Sequence, residues 1–261
     1  ADIKKFGYFR SEEEVFHWAS TKVGVQEGVR HPLSYLMEVC DDIAYSILDI
    51  EDGVKKGIVS VAELISYLGA AHDGKKDQRV EQLINQYKND RLWLRSIDLG
   101  PNEVRDAQIE IFRSYSIGIL VSDAIKFFCE RVNSGSLLRL KKGIAEEFGS
   151  ASLIGSFKDF AFERIYKHDS VIRAELKGHK SIPAIMDVLW RAILGVRKGT
   201  ASKVDEYAYS LISKNYIRVH KKSTELPLWY RDIQLVCDQV CGMTDSFAIR
   251  MYQDLKELEA I

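Results

Sequence analysis

Apolar residues recur along this chain with helical spacing almost from end to end, and strand-like alternation is hard to find. Ser11 followed by Glu14 and Ser60 followed by Glu63 both have capping-box form, each ahead of a periodic apolar stretch. Pro101 is placed to open a long helix running through Asn102 to about Val132, with Ile109, Ile111, Phe112, Tyr115, Ile119 and Leu120 turned inward. Only four prolines occur, and the intervals between them carry helix-compatible periodicity. The pattern predicts an all-α fold. Neither an internal repeat nor a low-complexity linker appears, and the polar stretches near 133–136 and 197–203 have ordinary loop length. One helical unit over residues 1–261 is the economical expectation.

One predicted helix carries polar residues where apolar ones would be expected. From Leu36 to Ile50 it is apolar nearly all round, which predicts a buried helix, yet Asp41, Tyr45 and Asp49 recur at four-residue intervals. Each step of four advances only about 40° around a helix, so the three share a face. A buried carboxylate must be hydrogen-bonded, paired or bound to a metal; a wet acidic face would give the same spacing. Spacing alone leaves both open.

The residues themselves go further. The run RHPLSYLMEVCDDIAY (Arg30–Tyr45) with DIEDG (Asp49–Gly53), and about 200 residues later VCDQVCGMTDSFA (Val236–Ala248), resembles the second half of deoxyguanosine triphosphate triphosphohydrolases, of the His-Asp (HD) metal-dependent phosphohydrolase superfamily. The resemblance runs from about Lys4 to the C-terminus and implies a multi-helical HD-type fold. It implies hydrolysis of dGTP or another deoxynucleoside triphosphate to deoxynucleoside and tripolyphosphate. The family's divalent ion, Mg, Mn or similar, is held by a His, an adjacent His-Asp pair and a distant Asp. Such an ion lowers the pKa of bound water and polarises a phosphoryl oxygen.

By this resemblance Asp41 is the closing metal ligand, with Asp42, turned about 100° away, as the alternative. Tyr45 would lie beneath the deoxyribose and Asp49 would accept from the 3′-hydroxyl. Tyr166 and Glu175, in FERIY (Phe162–Tyr166) and IRAE (Ile172–Glu175), match a tyrosine and a glutamate placed near the base. A carboxylate can accept from N1–H and the amine of guanine. Arg191, beside Trp190, is a weaker candidate for contacting the base.

The chain departs from the family upstream of Asp41, where only His17 and His31 occur and neither precedes an Asp. It begins at Ala1 and reads as the C-terminal portion of a longer protein, inactive by itself. The pair at His72 is expected in an exposed turn and that at His168 at a junction between helices, so neither replaces the missing ligands.

Composition adds little. Net charge is −1, which gives no global pull toward nucleic acid or anionic membrane. Cys40, Cys129, Cys237 and Cys241 lie in apolar patterns and are expected buried and reduced; with no signal peptide and no bilayer-length apolar run, they point to a cytoplasmic protein. No Walker loop occurs. The competing expectation is a non-catalytic oligomerisation or regulatory module, or one that binds single-stranded DNA through Arg139, Lys141 and Lys142, or through Lys214, Arg218, Lys221 and Lys222 with Tyr216 nearby. A homo-oligomer is expected from the family resemblance.

Overall fold

The computed structural model describes residues 8–25, 31–72, 77–94, 96–135, 147–223 and 225–258. They form an all-α fold, with no strand among the described residues. Contacts divide the chain into two compact units, Ala1–His168 and Asp169–Ile261.

The first unit contains α1 (Glu13–Lys22), α2 (Pro32–Lys55), α3 (Val61–Ala71), α4 (Gln78–Leu94), α5 (Pro101–Asn133) and α6 (Ala151–Ala161), the last continuing into a π-helical turn at Phe162–Tyr166. Local chemistry sets the helix ends. Pro32 opens α2 behind His31, whose Nδ1 accepts from the Leu33 amide. Gly57, at φ +70°, closes it, with Gly57 N–H donating to Val54 and Ile58 N–H to Gly53, which satisfies two terminal carbonyls. The Ser60–Glu63 box forms as predicted at α3. The expected box at Ser11 does not: Ser11 lies inside a 3₁₀ turn, and Glu12 accepts from the Phe9 amide instead.

Val39, Ile43, Ile47, Ile50 and Val54 are the buried stripe of α2, which packs against α5 and α6. Ile109, Phe112, Leu120, Leu153, Phe157 and Phe160 complete that core. Tyr115 was expected inside but is 45% exposed. Its place on the interior face is taken by Ser116, small enough to be covered fully.

Beneath α2 an ionic cluster ties it to α5. Arg113 Nη1 lies 2.8 and 2.7 Å from the two oxygens of buried Glu51, and Lys55 Nζ lies 2.8 Å from Oε1. Burial pushes the Glu51 carboxyl up, but hydrogen bonds and charges from Lys55 and Arg113 outweigh it and hold it below its ordinary 4.5. A lowered carboxylate stabilises the fold above 4.5 and loses that contribution as pH falls through its folded pKa. Glu51→Gln is therefore expected to cost about 2 kcal/mol at pH 7, a buried-pair value reduced for the partly exposed cations. Urea midpoints of both proteins at pH 7 and pH 3.5 check this, with the gap narrowing in acid; an equal gap at both would refute it.

The second unit contains α7 (Asp169–Lys198), α8 (Lys203–Ser210), α9 (Lys214–Lys222), α10 (Leu228–Cys241) and α11 (Asp245–Glu257). Its own core joins Ile185, Leu189 and Ile193 of α7 to Ala208, Leu235, Val236, Met251 and Leu255. Buried Asp232 of α10 is paired with Arg197 of α7 and with His220 Nε2 of α9 at 2.9 Å. No described residue of α7 before Ser181 is buried.

Candidate functional site

The stripe anticipated on α2 is present, but it faces outward. Asp41 and Tyr45 are exposed, Tyr45 by 61%, and Asp49 is half-buried. The expectation of a helix buried all round from Leu36 to Ile50 is corrected here: Met37 and Leu48 are exposed too, so α2 has one packed side and one open side on which apolar and acidic residues alternate. Apolar composition fixed that the helix has a core face; it could not say that the second apolar face lacks a cover among the described residues.

The two adjacent carboxylates differ. Asp42 is turned toward α6, where Lys158 Nζ lies 2.6 Å from Oδ1. Asp41 makes no hydrogen bond or ion pair with the described residues. Of the two, Asp41 is the carboxylate whose lone pairs remain available. As a ligand set it is not sufficient: among the described residues no three His, Cys, Asp or Glu side chains converge on one point.

Asp49 is engaged by Tyr166, the residue that the resemblance matches to a tyrosine near the base. The Tyr166 hydroxyl, at the end of the π-helical turn, donates to Asp49 Oδ2. Burial, that hydrogen bond and the Asp49 charge push the Tyr166 phenol up to about 12, so it remains a donor across the physiological range. The structure thus brings Tyr166 to Asp49, the last residue of the stripe. Glu175 lies in the second unit, exposed on the first half of α7.

Two further expectations change. His72 is not on an exposed turn: it is buried at the end of α3, its Nε2 3.0 Å from Ser156 Oγ, while Asp73 lies outside the described residues. The cysteines are free, as expected, but the expectation that they are buried is corrected: Cys40, Cys129 and Cys241 are exposed and Cys237 is only half-buried. Of the basic groups, Arg139, Lys141 and Lys142 lie outside the described residues, whereas Lys214, Arg218, Lys221 and Lys222 belong to α9. Among the described residues no helix is long and apolar enough to cross a membrane.

A separate cavity of about 940 Å³ in the first unit is lined by His72, Arg79, Gln82, Tyr115, Asp123 and Ser152 among others. Arg79 Nε bonds Asp123 at 2.6 Å there, and Ser150 Oγ donates to the same carboxylate oxygen. None of Asp41, Tyr45, Asp49 or Tyr166 lines it.

The all-helical architecture agrees with what comparison finds. Residues 150–254 match the model of the phosphohydrolase-associated domain. A deoxyguanosinetriphosphate triphosphohydrolase-like protein of Listeria monocytogenes is 28% identical over 98% of this chain and 55% of its own length. The deoxyguanosinetriphosphate triphosphohydrolase of Salmonella enteritidis is 26% identical over 98% of the chain and 54% of its length, and that of Yersinia pestis 24% over the same shares. The chain is a homologue of the C-terminal half of such proteins and spans about half the length of the curated relatives it matches.

Proposed function

We propose that this chain supplies the sugar-facing wall and one metal ligand of a deoxynucleoside triphosphate triphosphohydrolase, dGTP being the first substrate to test. The observation that carries the reading is the open face of α2, where Asp41 has no ionic partner among the described residues while its neighbour Asp42 is taken by Lys158. On this face Asp41 offers a carboxylate to a divalent ion. Tyr45 presents an exposed ring against which a deoxyribose can rest and an added 2′-hydroxyl would crowd. Asp49 accepts from the 3′-hydroxyl, and a substrate lacking that group leaves the carboxylate without its bond.

A single carboxylate does not hold an ion in fixed geometry, and the described residues do not complete the set. The remaining ligands are assigned to a polypeptide equivalent to the other half of the relatives. The chain alone is accordingly expected to release no tripolyphosphate from dGTP with Mg²⁺ or Mn²⁺. Joined to such a half, it is expected to turn over. Rapid metal-dependent release by the chain alone would overturn the division of the site; inactivity of the joined protein, folded and loaded with metal, would overturn the substrate.

A further inference from the structure

The contact between Tyr166 and Asp49 rests on a close approach built one turn further along α2. At Gly53, a Cβ would meet Ile165 Cδ1 at 2.5 Å and Val59 Cγ2 at 3.3 Å. Ile165, the residue before Tyr166, is buried in the first core. Glycine is unfavourable in the interior of a helix, so its place in α2 needs a close neighbour to account for it. Ile165 is that neighbour. The π-helical turn that holds it admits an extra residue relative to an α-helical turn, which changes the direction in which the following side chain leaves the backbone. Lys167 Nζ, 4.5 Å above the Phe162 ring, joins the two ends of the turn.

We propose that Tyr166 is a positioning residue: delivered by the fit of Ile165 against Gly53, its hydroxyl fixes the Asp49 carboxylate and leaves the other oxygen to receive the sugar 3′-hydroxyl. A half-exposed aspartate turns freely about its side-chain bonds unless a donor holds it. Tyr166 is that donor, and its raised phenol keeps the proton it donates. One oxygen of Asp49 is thereby engaged before any substrate arrives. The site then pays less ordering entropy when the sugar binds. This role acts through Asp49, not through stacking on a base, and it rests on Asp49 being the sugar acceptor.

Two measurements test it. In this chain labelled with ¹³Cζ-tyrosine, the resonance lost in Tyr166→Phe identifies Tyr166. It is expected to titrate near 12, and at lower pH in Asp49→Ala and Gly53→Ala. A Tyr166 titration unmoved by Asp49→Ala overturns the contact, whether or not Gly53→Ala folds. In the chain joined to the other half, Tyr166→Phe is expected to raise KM for dGTP about tenfold with kcat within about twofold, the pattern of lost ground-state binding. If Asp49→Ala raises KM and Tyr166→Phe does not, the positioning role fails alone. If neither moves KM, the sugar reading of the face fails and takes this role with it.

Discussion

Asp41→Ala, made in the chain joined to the other half, is expected to lower dGTP hydrolysis at least about a thousandfold, roughly 4 kcal/mol of transition-state stabilisation. Asp42→Ala, one residue on, is expected to stay within a few-fold of the parent. The contrast follows from what each carboxylate touches. Asp42 is spent on Lys158, across a pair whose side chains are 32% and 50% exposed, and an ion pair of that exposure contributes at most about 1 kcal/mol. Asp41 has no described partner, so its removal disturbs no packing and leaves thermal stability within about 0.5 kcal/mol of the parent. A loss of activity at Asp41 is therefore a loss of chemistry. Steady-state kinetics of both variants, with metal content measured alongside, decide the matter. Full activity in Asp41→Ala, or the larger loss in Asp42→Ala, would move the ligand to the neighbouring carboxylate.

That contrast was half legible in the sequence. Four-residue spacing placed Asp41, Tyr45 and Asp49 on one face because helix geometry is local, and the same is true of the Ser60–Glu63 cap and the start of α5 at Pro101. What covers a face is not local. Met37 and Leu48 read as interior residues, and the structure leaves them open. His72 failed in the opposite direction: a charged, glycine-containing run suggested exposure, but the side chain folds back to Ser156, which is 84 residues away along the chain. Tyr166 reaching Asp49 across 117 residues was likewise invisible to spacing, although one signal existed. Gly53 sits inside a strongly apolar helix, where its backbone cost marks a place at which another segment comes close. At His168 the change of helix was legible, but nothing marked it as the boundary between two units, since neither a proline nor a glycine lies there.

Phe157→Ala is expected to destabilise the first unit by about 4 kcal/mol, within the range for truncating a buried aromatic. Phe157 is fully covered, and its ring meets Phe112 of α5 edge-on, centroids 6.0 Å apart at 74°. Phe160, three residues on, makes a similar contact with Tyr67, but Tyr67 is only partly buried, so Phe160→Ala opens toward solvent and is expected to cost less. Hydrogen exchange followed by mass spectrometry separates a local from a general effect. Protection is expected to fall in α2, α5 and α6, whose apolar residues share one core, and to persist in α10 and α11, whose residues belong to the other. An equal loss in all five helices would mean that the two cores do not open separately. The same variant links packing to the site. Helix α6 runs directly into the turn that carries Ile165 and Tyr166, so loosening Phe157 is expected to lower the Tyr166 titration as well, without touching either partner of its hydrogen bond.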